Sequence, residues 1–555
     1  MTKAKPWFKY WQTDMPRSID YPQVPLHEIL TKTAREYPKQ TALEFLDAQI
    51  TYEKLSALSD QFAVALTRLG LKRGDRVAIF LPNLPQFVIA YFGVLKAGAV
   101  LTAISPLHRE REVKYQLCDS EATAIITLNS LYPVVANVWK KTKLKQVIVT
   151  SAQEYAAKTT IAASMLYQKT DVYSFQTLIA ENTDAKPAQI HLNPQENLAA
   201  LQYTGGTTGT PKAAMLTHMN LVSNAIAFAT WLKSTMTKET FLTALPLFHI
   251  YGMTTSMNAP ISSAAKMVLL PHFDPLKALE LIQKHEVTVF CGVPTMYAIL
   301  LAHPAFRKFN LTSLRACISG ASPLPPQVQK TFMEVTGGFL AEGYGLSEAS
   351  PVTHCNPVDK TMRTVRVGSI GLPLPNTDAC IFDLETGRQH LNAGETGELA
   401  VKGPQVMKGY WHSAEETASV LRSGWLFTGD IARMDEDGYF YITDRKKDLI
   451  KYKDYSVYPR EIEDVLYEHP SVKLCAVVGK PDRIAGEIPK AFVVLRDGAS
   501  TTEAEIEEFV NGKVAPYKAI REVGFRKELP LSSAGKVLRR VLQEEEKAHG
   551  SRRNV

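Results

Sequence analysis

Nothing in this 555-residue sequence spaces its cysteines as a staple or a metal clip. The six (Cys118, Cys291, Cys317, Cys355, Cys380 and Cys475) are scattered, with no CxxC pair and no histidine at ligand spacing. Disulfide frameworks and zinc sites are disfavoured, and buried, reduced thiols of a cytoplasmic protein are expected. Long apolar runs are missing as well. The longest, residues 87–95 (FVIAYFGVL), is about half of what a membrane-spanning helix needs. The opening stretch MTKAKPWFKYWQTDMPRS holds no apolar run of signal-peptide length. A basic block is absent too: the formal net charge is only +7, and both signs are mixed along the chain. That balance suits small anionic ligands and argues against nucleic acid as a partner.

What is present is the composition of a globular protein, 45% apolar and 21% charged, long enough for about three or four domains. Leu55, Leu58, Phe62, Leu66 and Leu69 recur at helical spacing and stop at Gly70. The run RVAIFL at residues 76–81 reads as a buried strand, and residues 85–96 as a second helix. Such alternation implies parallel sheets faced by helices, an α/β fold. Residues 151–194 are polar and irregular, and a surface excursion is expected there. From about 366 to 444, short strand-like runs between Gly, Pro and Asp turns suggest a small β-rich subdomain. A compact α+β pattern follows, with helices near 459–468 and 503–511 and strands near 475–478 and 491–495. Residues 544–555 are charged and expected to fray.

The chemistry concentrates first in residues 203–212 (YTGGTTGTPK). Three glycines and four threonines between 204 and 210 cannot hold a helix or fill a core. They can wrap a polyanion, because glycine lets backbone N–H groups approach and threonine adds hydroxyls. Lys212 would add a point charge. The stretch does not fit GxxxxGK[ST], which disfavours a Walker-type nucleotide hydrolase.

This loop resembles the phosphate loop of the adenylate-forming enzymes, which include acyl-CoA synthetases, luciferases and peptide adenylation domains. Six further motifs similar to that superfamily follow in order: LPLFHIYG (245–252), SGASPL (319–324), GYGLSE (343–348), WLFTGD (425–430), DRKKD (444–448) and LSSAGK (531–536). EGYGLSEASPV and KGPQVMKGYW look most like bacterial long-chain fatty acid–CoA ligases. The resemblance covers almost the whole chain, from about 26 to 540. It implies a large N-terminal domain (1–444) of two αβαβα-like subdomains plus a small distorted β-barrel, and a mobile α+β C-terminal domain (445–555).

The resemblance also implies roles. A carboxylate must attack the α-phosphorus of ATP, so positioning and cationic stabilisation should dominate. Thr204, Gly205, Gly206, Thr207, Thr208, Gly209, Thr210 and Lys212 would hold the phosphates. Glu348, with Thr204, would bind Mg²⁺. Gly320, Ala321, Ser322, Glu342, Gly343, Tyr344, Gly345, Leu346 and Ser347 would line the nucleotide, with Tyr344 flat against adenine. Asp430 would take the ribose hydroxyls through its two acceptor oxygens, flanked by Ile442 and Arg445. Lys536 would bridge carboxylate and α-phosphate as the main catalytic group of the first half-reaction. His249 would orient the acyl carboxylate; taken alone, a histidine in that aromatic setting is more often a hydrogen-bonded core residue. Lys447 would be the hinge about which the C-terminal domain turns between half-reactions. Lys451, Tyr452, Lys453 and Asp454 would then face the coenzyme A tunnel.

Two positions depart from the pattern. Ala213 stands where glycine is common, a small change. Asp454 stands where glycine usually lets the backbone pass the pantetheine, which puts the thioester step in question. The expected activity is therefore an ATP-dependent fatty acid–CoA ligase. The alternatives are a ligase for shorter, hydroxylated or aromatic acids, and an adenylate former with another acceptor. A non-catalytic module would have no reason to keep Lys212, Glu348, Asp430, Arg445 and Lys536 together. The arm containing Lys5, Trp7, Phe8, Lys9, Tyr10 and Trp11 reads equally as a peripheral anchor on the inner face of a membrane or as a segment packed on its own domain. A homodimer is left open.

Overall fold

In the computed structural model, residues 5–12, 14–157, 171–204, 211–358, 364–446, 448–453, 455–482, 484–531 and 537–552 are described. Four sheets organise them. The first has seven strands, in the order Val172–Ser174, Gln146–Thr150, Ala124–Leu128, Arg76–Phe80, Val100–Ala103, Leu198–Thr204 and Lys212–Thr217. All pairs are parallel except the last, a hairpin closed by the phosphate-loop segment. The second has nine strands, with Leu340–Gly345, Ala316–Ser319, Val289–Gly292 and Thr240–Thr243 at its centre. Parallel strands buried on both faces need near-continuous apolar runs, and Val289–Gly292 and Ala316–Ser319 are buried along their whole length.

The helix Tyr52–Arg68 starts where Thr51 caps Lys54 N, and ends before Gly70 at φ +87°. Its apolar face meets the helix Pro85–Lys96, in which every residue is buried. Just ahead of that helix, buried Asn83 reaches Thr243 O, Leu245 O and Leu270 O at 2.9–3.1 Å and accepts from Leu247 N at 2.8 Å. One amide thus ties the first sheet's domain to the loop that carries His249.

A five-stranded antiparallel sheet contains Asp378–Phe382, Thr396–Lys402, Trp425–Met434 and Phe440–Arg445, and it holds Asp430 opposite Arg445. The C-terminal sheet is built on the long hairpin Val472–Asp482 and Gly486–Leu495.

Three local expectations need correction. Residues 151–194 supply an edge strand and the helix Phe175–Ala180; its fully buried Phe175 lies 4.7 Å, centroid to centroid, from Phe62. Its apolar face is only Phe175, Leu178 and Ile179, too short a run to show periodicity. Residues 544–555 were expected to fray, yet the helix Arg539–Arg552 takes in 544–552, and 553–555 lie outside the described residues. Glu546 is buried there and pairs with Lys490 at 2.8 Å. The thiols are all free, but Cys118 is exposed and Cys380 only half-buried.

Of the two readings of the N-terminal arm, the packed one describes this structure. Trp7 and Trp11 are buried in the main core against Phe440 and Trp231. No helix among the described residues is long and apolar enough to cross a membrane.

Candidate active site

The phosphate-loop segment springs from the hairpin Leu198–Thr204 and Lys212–Thr217, whose ends meet at Thr204 opposite Lys212. Gly205, Gly206, Thr207, Thr208, Gly209 and Thr210 lie outside the described residues. Both ends of the loop are held from one helix, Glu110–Asp119: Tyr203 donates to Asp119 Oδ2 at 2.5 Å, and Tyr115 donates to Pro211 O at 2.7 Å. Thr204 Oγ1 donates to Lys212 O at 3.4 Å. Lys212 Nζ lies 3.2 Å from Glu416 and 5.6 Å from the Tyr410 ring centroid.

The strand Leu340–Gly345 delivers the next group. A β-carbon on Gly345 would lie 2.1 Å from Pro351 O, so only glycine lets the chain double back here. The strand brings Tyr344 to Asp430: the phenol donates to Oδ2 at 2.5 Å, while Arg445 Nε stands 3.1 Å from Oδ1. Asp430 itself is only 7% exposed, so this carboxylate depends on its partners for solvation. Burial and then the Asp430 charge raise the Tyr344 pKa well above its usual value, and the phenol stays a donor. Asp430 in turn raises that of Arg445. Each carboxylate oxygen keeps acceptor capacity for a hydroxyl beyond these two partners.

Gly320, Ala321, Gly343, Tyr344, Gly345, Leu346 and Ser347 surround one cavity of about 70 Å³, together with His249, Tyr251, Phe228 and Val352. Ala321 holds φ +70°, a left-handed conformation that costs a non-glycine residue about 1 kcal/mol or more. His249 caps a short helix by accepting from Tyr251 N at 3.2 Å.

Other expected site residues lie apart from this cavity. Ser322 is half-exposed beyond Ala321. Glu342 is buried, its Oε2 takes no hydrogen bond among the described residues, and burial pushes its pKa up to about 7. Ile442 offers its carbonyl to Arg460 at 2.9 Å, at the seam with the C-terminal domain. Lys451 and Tyr452 sit on the C-terminal sheet, Lys453 in the turn just after that strand, and none lines the cavity. Lys451 N donates to Glu487 at 2.9 Å, Arg521 stacks 5.4 Å from the Tyr452 ring, and Lys453 N donates to Ala485 O at 2.7 Å. Lys447, Asp454 and Lys536 lie outside the described residues.

Glu348 accepts from the Tyr410 hydroxyl at 2.7 Å. Among the described residues no three His, Cys, Asp or Glu side chains form a metal cage. A lone carboxylate fits Mg²⁺, which takes one or two protein oxygens and completes its shell with phosphate and water.

Sequence reasoning gave no role to Tyr410, Glu416, Asn83, Tyr115 or Asp119. Tyr410 stood inside a quoted motif, KGYW, but only the folded chain brings it to Glu348. At the seam, Arg539 ties Asp444, Asp448 and Glu463 together, with 3.2 Å to Asp448. Burial pushes the Asp444 pKa up to about 6.

Known proteins resemble this chain over nearly its whole length. The AMP-binding enzyme family matches residues 30–411, and the AMP-binding enzyme C-terminal domain matches residues 461–536. A long-chain-fatty-acid–CoA ligase of Bacillus subtilis is 43% identical over 98% of this chain and 99% of its own. ATP-bound MatB from Rhodopseudomonas palustris superposes with a TM-score of 0.84 at 31% identity, covering 94% of this chain and 99% of that one. The anthranilate CoA ligase AuaEII with anthranoyl-AMP also scores 0.84, at 28% identity over 96% and 99%.

Proposed function

This chain belongs to the AMP-binding enzyme family, and from that premise we propose that it is an ATP-dependent fatty acid–CoA ligase. In the first step a fatty acid carboxylate attacks the α-phosphorus of ATP, forming the acyl-adenylate and releasing pyrophosphate. In the second the thiol of coenzyme A, losing its proton, attacks the acyl carbon and expels AMP. The observation that carries the reading is the Tyr344–Asp430–Arg445 cluster, whose tyrosine stands on the strand that also walls the cavity lined by His249. Asp430 would accept the ribose hydroxyls, and Arg445 would hold that carboxylate and add positive charge nearby. Lys212 would leave Glu416 for phosphate, and His249 would orient the incoming carboxylate. Mg²⁺ bound at Glu348 would neutralise phosphate charge. Lys536, by resemblance, would bridge carboxylate and α-phosphate; Lys447, by resemblance, would be the hinge between a domain ending at 444 and the C-terminal domain.

A second reading is consistent with the solved relatives, which include an anthranilate CoA ligase in complex with anthranoyl-AMP. Shorter or aromatic acids are therefore the competing substrates. The deciding experiment is AMP release from ATP and Mg²⁺ with palmitate, octanoate or benzoate, each with and without coenzyme A. Turnover with palmitate that rises strongly on adding coenzyme A is expected. Palmitate inert beside active benzoate would replace the fatty acid reading, and AMP release indifferent to coenzyme A would replace the acceptor.

A further inference from the structure

The charged groups at the mouth of the site are gripped by a segment outside the expected machinery. Residues 407–411 run beside the strand Lys212–Thr217: Met215 N donates to Gly409 O at 2.8 Å, Lys408 N to Met215 O at 3.0 Å, and Trp411 N to Ala213 O at 2.9 Å. Met407 N donates to Glu348 O at 2.7 Å. The segment is thus laced both to the strand that begins at Lys212 and to the turn that presents Glu348. Its far end is fixed by Trp411 Nε1, which donates to Asp119 O at 3.1 Å.

From this rigid base Tyr410 reaches both charges. Its hydroxyl donates to Glu348 Oε1 at 2.7 Å, and its ring lies 5.6 Å from Lys212 Nζ. Lys212 is drawn the other way, to Glu416 on the helix Ala414–Val420 that follows. Tyr410 thus touches a lysine and a glutamate at once, and such a pair attracts by several kcal/mol at close range, on the order of 4 at 4 Å. With nothing between them they would pair, and neither would be free for a ligand.

We infer that Tyr410 is a positioning residue, which orients the Glu348 carboxylate and keeps it apart from Lys212, leaving the acid for a divalent cation and the lysine for phosphate. This rests on the reading of Glu348 as a metal-binding group. A phenol suits the task because it donates one hydrogen bond without cancelling the carboxylate's charge, as a lysine or arginine would.

Tyr410→Phe keeps the ring over Lys212 and deletes only the hydroxyl. The probe is Mn²⁺, followed by electron paramagnetic resonance, added with an ATP analogue whose α,β-methylene bridge prevents adenylate formation. The variant is expected to bind Mn²⁺ about tenfold more weakly in that complex. Its KM for MgATP should rise similarly, while the KM values for fatty acid and coenzyme A and the melting temperature stay at wild-type values. Tyr410→Leu, which also removes the ring, should weaken nucleotide binding further. Wild-type Mn²⁺ affinity in Tyr410→Phe overturns the inference, and so does an equal rise in every KM. Glu348→Gln with unaltered Mn²⁺ affinity overturns it together with the metal assignment. The titration needs no acyl substrate, so an enzyme inert toward palmitate would defeat the substrate reading separately.

Discussion

Asp430 shows how one buried carboxylate gathers its partners. It is held by Tyr344 on one oxygen and Arg445 on the other. Asp430→Asn keeps the shape but strands Arg445 without its counter-charge. The KM for ATP is expected to rise about tenfold or more, with little change in the KM for coenzyme A, as steady-state kinetics would show. Glu342 poses a different problem, a carboxyl buried without a full set of partners. Its folded pKa, about 7, lies above its ordinary 4.5. The protonated form therefore suits the fold, and that contribution is complete below pH 4.5 and lost as pH rises through 7. Glu342→Gln should be near neutral at pH 4.5 and stabilise by up to about 3 kcal/mol at pH 8. Thermal melts across that range check it; equal melting shifts at both ends would refute the account.

At the scale of elements, the loop carrying His249 is placed by hydrogen bonds from a different part of the chain. Asn83 precedes the buried helix Pro85–Lys96 and reaches three carbonyls of the second sheet's domain. Asn83→Ala leaves those carbonyls and Leu247 N without this partner in a dry setting. A loss of about 3 kcal/mol is expected by urea denaturation. The acid-dependent KM should rise as well, because the loop that presents His249 loses its tether. Unchanged kinetics with reduced stability would mean that the loop is placed by its own packing alone.

Across the whole molecule, an ion network around Arg539 reaches from the C-terminal segment back to Asp444, the last residue of the expected large domain. Arg539 contacts Asp444, Asp448 and Glu463, and Arg460 N donates to Asp444 at 2.9 Å. Taking away the guanidinium that joins these three acids leaves buried charge uncompensated, a loss of about 3 kcal/mol or more. Arg539→Gln should lower the melting temperature of the C-terminal domain and speed tryptic cleavage near residues 444–448. If the C-terminal domain turns between half-reactions as proposed, the ratio of adenylation to thioester formation should also change. Asp444, with a folded pKa of about 6 against an ordinary 3.8, adds stability at acid pH that fades as pH rises through 6.

Much of this could be read from residues alone. Glycines and threonines from 204 to 210 suit wrapping an anion, and the motifs around Tyr344, Asp430 and Arg445 resemble those of the adenylate-forming enzymes and follow in the same order. Helical spacing from Leu55 to Leu69 and the apolar run at 76–81 yielded real elements because both signals are long and periodic. Phe175 and Glu546 were missed because a three-residue apolar face or a charged tail carries no local sign of what will cover it. Tyr410 escaped for a related reason. Its partner Glu348 lies 62 positions away, and a tyrosine's role as donor is decided by the acceptor it meets. The sequence by itself determined the class of chemistry, since that depends on which functional groups exist and in what order. Only the tertiary structure decided which groups share a hydrogen bond, which carboxylates are buried and which residues line the cavity, because those depend on distances and dielectric that no spacing along a chain encodes.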